Sequence, residues 1–198
     1  MVPTNKSIDT LVTDIYKVVA EKKEFSKEAI QELADDIAKR LSFMLIQERG
    51  RPTLRASNLG TKCMRQLWYS IHTPELAEPL PPKAIIKYSY GHILEAFIIF
   101  LAKAAGHKVE GMQDEITIDG ISGHRDCVVD GRLVDVKSAS SRSFDKFQDG
   151  SFEKDDPFGY LDQLSFYLAK SGDDPLLRDK DIGSFLVVDK TLGDLCLS

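Results

Sequence analysis

The chain has 198 residues, of which 42% are hydrophobic and 29% are charged, a composition typical of a soluble globular protein. No uninterrupted apolar run is long enough to predict a membrane span, so no membrane partner is expected. The formal net charge of −5 excludes a global attraction to nucleic acid, so any such binding needs a local basic patch. Three widely spaced cysteines favour reduced thiols and a cytoplasmic location over a disulfide framework.

The first 49 residues are predicted to form a helical hairpin ahead of a main domain, residues 50–198. Apolar residues recur at helical spacing in two stripes, and Ser26 is placed to cap the second helix. The stripes are Ile8, Leu11, Val12, Ile15 and Val19, then Ile30, Leu33, Ile37, Leu41 and Leu45. Such stripes are typical of core packing, and an interaction module is an equal alternative.

The middle of the chain is predicted to contain two more helices. Residues 51–55 form a loop, and Ser57 is placed to cap a short helix that ends near Ile71. A proline-rich linker follows, because Pro74, Pro79, Pro81 and Pro82 are incompatible with a helix interior or a central strand. A long helix then spans residues 84–105 and ends at Gly106.

Beyond Gly106 the apolar period changes from helical to alternating, which predicts strands. We expect strands near Val109 and at residues 115–118, with a turn at Asp119–Gly120. A hairpin over residues 123–137 turns at Asp130–Gly131, a dipeptide that favours a type I′ turn. The remaining elements are a loop or short helix (138–150), a helix (157–170) with Pro157 in its first turn, a strand (182–188) and a last strand. This order predicts an α/β fold with a mixed central sheet flanked by helices.

The predicted hairpin brings two carboxylates together. A two-residue turn places Val128 opposite Leu133, Asp126 opposite Asp135 and His124 opposite Lys137, all on one face. Opposed like charges are destabilising, and a divalent cation that accepts carboxylate oxygens would offset the repulsion. The alternative is an ordinary surface ion pair, since Asp-x-Lys triplets are common by chance and contribute little energy.

The pattern around this hairpin resembles the PD-(D/E)xK nuclease superfamily, in particular its branch of RecB-like and phage-type exonucleases. The resemblance covers roughly residues 57–188 and depends on four motifs in order. They are Gly91-x-x-x-Glu95, Gly123-x-x-Asp126, Asp135-x-Lys137 and Gln163-x-x-x-Tyr167. Each motif is weak alone, whereas four in order on the expected elements are fairly specific. The resemblance implies a restriction-endonuclease-like core after the N-terminal helices.

The resemblance also implies the roles of the site residues. Asp126 and Asp135 would bind Mg²⁺ or Mn²⁺, aided by the carbonyl of Val136, and Glu95 would supply a further carboxylate. Lys137 would orient or help deprotonate the attacking water. Gln163 and Tyr167 share a helical face and would aid active-site hydrogen bonding and contact with the DNA backbone. Without the family, Gln163 and Tyr167 would be an ordinary amphipathic boundary. His124 has two interpretations, a group that supports the metal ligands from behind or a partly buried strand histidine.

A basic and aromatic segment provides the expected DNA contacts. Residues 49–74 contain no Asp or Glu, and the cations among them are Arg49, Arg51, Arg55, Lys62 and Arg65. Ser57 would bind phosphate at a helix N-terminus, Arg65 would contact a second phosphate, and Trp68 or Tyr69 would stack on a base. The structural alternative is that the helix packs on the core, and both are expected to hold, with Trp68 packed rather than stacking.

The function expected from this resemblance is a DNA exonuclease of recombination, repair or phage DNA processing, in the host cytoplasm if phage-encoded. Linear double-stranded or single-stranded DNA is the expected substrate. A catalytically inactive DNA-binding accessory module, an endonuclease and a helical interaction protein stay as alternatives. A recombination or replication protein partner and an oligomer are compatible with the sequence.

Two features set this chain apart from relatives in the branch. Cys63 matches the first cysteine of iron–sulfur relatives, but Cys196 alone lies near the end, so no cluster is expected. The chain also stops soon after residue 188, where relatives often continue with another helix. A compact chain and a truncated or split product both remain open.

Overall fold

A computed structural model describes residues 6–22, 24–46 and 52–198, and within them the chain has an α/β fold. The α-helices are α1 (Leu11–Ala20), α2 (Lys27–Ile46), α3 (Met64–His72), α4 (Pro82–Ala104), α5 (Ser141–Gln148) and α6 (Tyr160–Leu168). The strands are β1 (Val109–Glu110), β2 (Glu115–Ile118), β3 (Ile121–His124), β4 (Cys127–Val129), β5 (Arg132–Ala139), β6 (Gly183–Asp189) and β7 (Leu195–Leu197).

The main sheet has five strands in the order β1-β4-β5-β6-β7, and β2 pairs with β3 in a separate two-stranded ribbon. β5 and β6 run parallel, while the other neighbours run antiparallel, so the predicted mixed sheet is confirmed. β5 occupies the centre of the sheet and is buried along most of its length. Asp135 and Lys137, which lie on β5, are therefore carried by the central strand of the sheet.

Each face of this sheet is covered by helices. On one face, α1 and α4 enclose a core that includes Val134, Val136 and Leu186. On the other, α5 and α6 pack over a core that includes Leu133 and Val187. Alternate β5 residues thus enter different cores, as the period of two along a strand requires.

The N-terminal residues are divided between core and surface. Leu11 and Ile15 are buried as predicted and share the core of the main sheet, whereas Val19 is exposed and Val18 takes its place. α1 and α2 each pack on α4. Residues 47–51, which include Arg49 and Arg51 of the basic segment, lie outside the described part of the chain.

The predicted N-cap of α2 is confirmed, but the burial predicted for the apolar stripe of this helix is wrong. Ser26 Oγ accepts a hydrogen bond from the Ala29 amide at 3.1 Å, as an N-cap does. No residue of α2 is fully buried: Leu33, Ile37 and Leu41 are partly buried, and Ile30 and Leu45 are exposed. A helical stripe shows which residues share a face, but it does not show how much of this face a neighbouring helix such as α4 covers.

Two helices begin later than predicted. Ser57 lies in a short 3-10 turn, and α3 begins at Met64, where Cys63 Sγ accepts a hydrogen bond from the Gln66 amide. α6 begins at Tyr160, after Gly159 in a left-handed conformation (φ 70°), so Pro157 lies outside the helix. A Cβ on Gly159 would lie 2.2 Å from Gly60 Cα, so this approach leaves no room for a side chain.

The turn predictions are confirmed. Asp119 and Gly120, and likewise Asp130 and Gly131, all have positive φ as type I′ turns require. Gly106 ends the α4 region with φ +88°, as predicted.

Among the described residues, α4 is the one helix with the length and apolar composition of a membrane span. This is weak evidence of a span, because core helices of soluble proteins satisfy the same criteria.

Candidate active site

The hairpin that carries Asp126 differs from the prediction in one respect. Val128 lies opposite Leu133 as predicted, but regular pairing of β4 with β5 starts only at Cys127. β3 pairs with β2 instead, so His124 lies opposite Glu115, and its predicted pairing with Lys137 is wrong. The predicted strand is therefore broken at Arg125 and Asp126.

Arg125 provides the physical reason for the break. Its side chain is buried and forms ion pairs with Asp114 and Asp174, while its Nε donates to the Gly111 carbonyl. A buried guanidinium is costly unless such partners surround it, so Arg125 anchors the chain where β3 gives way to β4. The break leaves Asp126 free to turn its carboxylate toward β5.

Asp126 lies against the centre of β5. Its Oδ2 accepts a hydrogen bond from the Val136 amide at 2.7 Å, next to the predicted partner Asp135. Burial raises the pKa of Asp126 well above its usual range, and the nearby negative charges of Asp135 and Glu95 raise it further. Lys137 and the Val136 amide oppose this rise only in part. The predicted repulsion between Asp126 and Asp135 is therefore present.

Asp135 is 3% exposed and forms an ion pair with Lys137, whose Nζ lies 2.6 Å from Oδ2. This oxygen is buried, and the Lys137 ammonium is its partner among the described residues. Burial raises the pKa of Asp135, and the charge of Lys137 opposes the rise. An oxygen of this kind can accept a further cationic partner.

Glu95 reaches the same cluster from α4. Its carboxylate is 9% exposed, and its Oε1 accepts hydrogen bonds from Arg40 Nη1 at 2.6 Å and Gln113 Nε2 at 2.9 Å. Burial raises the pKa of Glu95, which the charge of Arg40 opposes. Because Asp135 also raises this pKa, three carboxylates, from α4, from the break before β4 and from β5, interact electrostatically.

These carboxylates fit a hard divalent cation by the chemistry of their oxygens, but they are not arranged as a finished cage. Within the described ranges, no group of three or more His, Cys, Asp or Glu side chains is already placed to hold a metal ion. Arg40 and Lys137 pair with the carboxylates instead. Mg²⁺ keeps several waters and needs only one or two protein carboxylates, so two aspartates such as Asp126 and Asp135 would be enough to hold one.

Lys137 is held between a carboxylate and an aromatic ring. Its Nζ lies 2.6 Å from Asp135 Oδ2 and 4.5 Å from the centroid of Tyr160. Burial lowers the pKa of Lys137, but the charges of Asp135 and Asp126 outweigh it, and the net pKa is raised. Lys137 is therefore protonated at neutral pH, which suits it to stabilise negative charge rather than to take a proton from water.

Tyr160 is a site residue that the sequence analysis missed. It begins α6 one helical turn before Gln163, so the two share a face. That spacing is a signal in the sequence, although the contact with Lys137 is not, because it joins separate elements. The ring keeps Lys137 in one position by a cation–π contact.

Gln163 and Tyr167 brace the break between β3 and β4. The Tyr167 hydroxyl donates to the His124 carbonyl at 2.8 Å and accepts from Gln163 Nε2 at 3.3 Å. A Cβ on Gly123 would lie 2.7 Å from this hydroxyl, which explains the glycine. Tyr167 is 2% exposed, so its predicted contact with DNA is not compatible with its position. Instead, its hydrogen bond to the His124 carbonyl holds the chain two residues before Asp126.

Replacing Tyr167 with phenylalanine is expected to destabilise the fold by about 1–3 kcal/mol, because the His124 carbonyl loses its donor. Urea unfolding of the variant measures this loss. Tyr69→Phe is the control, because Tyr69 is exposed on α3 and its loss is expected to be small. Equal midpoints for wild type and Tyr167→Phe would mean that the hydroxyl does not brace the break.

The basic and aromatic segment presents an exposed face. Trp68 is 50% exposed and Tyr69 45% exposed, so the expectation that Trp68 packs on the core is wrong. Trp68 stacks on His72 with ring centroids 4.5 Å apart, and Arg65 lies over the Tyr69 ring at 5.8 Å. Leu67 is the residue of α3 that is buried. Ser57 is exposed, but its place in a 3-10 turn means that it does not start the helix as predicted.

The functional assignment depends on this geometry and on the sequence motifs, without support from relatives. No protein-family model, curated protein or solved structure matches the chain.

Proposed function

We propose that the chain is a metal-dependent deoxyribonuclease of the PD-(D/E)xK superfamily, in its RecB-like and phage-type exonuclease branch. One observation carries the proposal: Glu95, Asp126 and Asp135 are buried carboxylates that interact electrostatically near Lys137. Burial raises the pKa values of all three, and neighbouring carboxylates raise those of Asp126 and Glu95 further. In this proposal the sheet and its helices are a restriction-endonuclease-like core, and residues 1–49 are an N-terminal helical hairpin.

The energetics of the cluster favour a catalytic role over a structural one. Burying a carboxylate costs free energy, and placing a second and third beside it adds repulsion that Arg40 and Lys137 do not fully remove. Apolar side chains of similar volume would stabilise the sheet better. Strongly shifted pKa values that arise from burial together with specific charge partners are typical of functional sites.

Asp126 and Asp135 would hold Mg²⁺ or Mn²⁺, with Glu95 and the Val136 carbonyl as further oxygen ligands. The bound cation makes hydroxide accessible near neutral pH and offsets charge that develops on the phosphate. Lys137, which stays protonated, would donate to a phosphate oxygen. Tyr160 would keep Lys137 in place, and Gln163 would act on the site through Tyr167.

DNA is the proposed substrate because the exposed face of α3 combines a cation with aromatic rings. Arg65 can contact a phosphate, and Trp68 and Tyr69 offer faces on which a base can stack. Ser57 is exposed in the turn before α3 and is a further candidate contact. In an acidic protein, such a local patch is the means by which DNA can bind. We propose a cytoplasmic role in recombination, repair or phage DNA processing.

The decisive experiment compares end-labelled linear DNA with closed circular DNA, each incubated with Mg²⁺, Mn²⁺ or EDTA. Wild type is expected to degrade linear DNA with either metal and not with EDTA, and to leave circles intact. Asp135→Asn is the matched inactive variant, since the amide keeps the shape of the side chain and removes its charge. Asp145→Asn is the control, because Asp145 is exposed on α5.

Each other outcome changes the proposal in a defined way. Cleavage of circles would make the protein an endonuclease. Binding of DNA without cleavage in every metal would identify an inactive DNA-binding accessory module, for which the exposed face of α3 would be the site. Equal cleavage by wild type and Asp135→Asn would mean that the carboxylate cluster is not the active site.

A further inference from the structure

One cation of the candidate site comes from outside the four motifs. Arg40 lies on α2, 55 residues before Glu95, and its Nη1 donates to Glu95 Oε1 at 2.6 Å. Its Nε is 3.0 Å from both carboxylate oxygens of Asp36, one turn earlier on the same helix. The Arg40 side chain is 10% exposed. The guanidinium is thus enclosed beside the carboxylate cluster.

Arg40 lies on the side of α2 that faces a cavity next to α4. No residue of α2 is buried, although the helix lies along α4. A cavity of about 540 Å³ lies between α2 and α4, and Arg40, Ala96 and Gln113 are among the residues that line it. Although the guanidinium is enclosed, this cavity gives the Arg40 side chain room to change partner.

We propose that Arg40 is a substrate-phosphate ligand, which exchanges Glu95 for a phosphate of the DNA when the site is loaded. The inference rests on the proposed nuclease function and assigns to that site a residue that its motifs do not include. The planar guanidinium suits the role, because it binds carboxylate and phosphate oxygens with the same paired N–H groups and stays charged. Asp36 would keep the guanidinium oriented during the exchange.

The charges of the cluster support this exchange. The four carboxylates Asp36, Glu95, Asp126 and Asp135, when ionised, exceed the two cations Arg40 and Lys137 by two negative charges. A divalent cation would make the cluster neutral. Without Arg40, the loaded cluster would carry one net negative charge and would repel the phosphate.

Glu95 would not lose every partner in the exchange. Gln113 Nε2 also donates to its Oε1 at 2.9 Å, and Gln113 lies between β1 and β2 rather than on α2. Glu95 would therefore keep a hydrogen bond while Arg40 turns to phosphate, which limits the cost of leaving a buried carboxylate.

Equilibrium binding of a short fluorescent DNA duplex, measured in Ca²⁺ from about 50 to about 200 mM salt, tests the role of Arg40 directly. The DNA is checked on a gel for intactness. Arg40→Ala is expected to weaken binding by about tenfold, and to reduce the slope of log K against log salt by about 0.9, the value for one phosphate contact. Arg40→Lys is expected to restore most of the slope. Lys39→Ala is the matched control, from the neighbouring exposed cation.

The other outcomes separate this inference from the proposed function. Unchanged binding and salt slope for Arg40→Ala, in a protein whose wild type cleaves DNA, would overturn the phosphate role and leave the nuclease standing. Tighter binding or faster cleavage by Arg40→Ala would also overturn it, and would make Arg40 an inhibitory ion pair. Absence of both binding and cleavage in wild type would overturn the function and this role together. Thermal melts verify that each variant is folded.

Discussion

Replacing Lys137 with methionine is expected to lower the rate of DNA cleavage by about 10²–10⁴-fold, the usual range for one charge-stabilising or proton-transferring group. Methionine retains an apolar stem against the Tyr160 ring but removes the cation that lies 2.6 Å from Asp135. Because the proposed role of the protonated ammonium is to stabilise negative charge on phosphate, the loss should appear in kcat rather than in the affinity for DNA. Single-turnover cleavage of end-labelled linear DNA measures it.

The same variant should still bind divalent cations. Lys137 opposes the raised pKa values of Asp126 and Asp135, and its removal does not take away a carboxylate ligand. Mg²⁺ is therefore expected to raise the melting temperatures of Lys137→Met and of wild type alike. Lys190→Met, a change at an exposed lysine, should leave the cleavage rate unchanged. Cleavage by Lys137→Met at the wild-type rate would show that Lys137 does not belong to the active site.

The parts of the site that the sequence predicts are those with local signals. Asp130–Gly131 specifies a type I′ turn, and the turn fixes Val128 opposite Leu133 without further information. The turn also brings Asp126 to the level of Asp135 on β5, although the strand breaks at Asp126 and its carboxylate accepts from the Val136 amide. The turn dipeptide thus predicts that the two aspartates are neighbours, but not the orientation of the Asp126 side chain.

The remaining parts depend on contacts between distant residues. Arg125 interrupts the predicted strand because it pairs with Asp174, 49 residues later, and no local pattern announces this pairing. Arg40 reaches Glu95 over 55 residues, and a helical stripe gives no sign that its polar face meets a carboxylate. Tyr160 could have been found, since it lies one turn before Gln163 on the predicted helix.

The stability of the protein is expected to depend on pH through Asp126. Burial raises the pKa of Asp126 in the folded protein above its unfolded value, about 3.9 for aspartate. The contribution of this carboxyl to stability is therefore complete below the unfolded pKa. It is lost as the pH rises through the folded pKa, because the fold disfavours the ionised form. In EDTA, Asp126→Asn should therefore melt progressively higher than wild type as the pH rises from about 5 to about 8. In a chain of this size, a change of 1 kcal/mol in the free energy of unfolding shifts the melting temperature by about 2–4 °C. Asparagine keeps an oxygen that can accept from the Val136 amide.

The exposed Asp149 provides a control of opposite sign. Hydrogen bonds with Ser151 lower the pKa of Asp149, so its ionised form stabilises the fold and Asp149→Asn should gain nothing as the pH rises. Adding Mg²⁺ should raise the melting temperature of wild type more at about pH 8 than at about pH 5, because protons must leave the carboxylates before the cation binds. Asp126→Asn should lose most of this increase. An equal response to Mg²⁺ in wild type and Asp126→Asn would show that the repulsion among these carboxylates is not relieved by a metal, and the nuclease proposal would lose its physical basis.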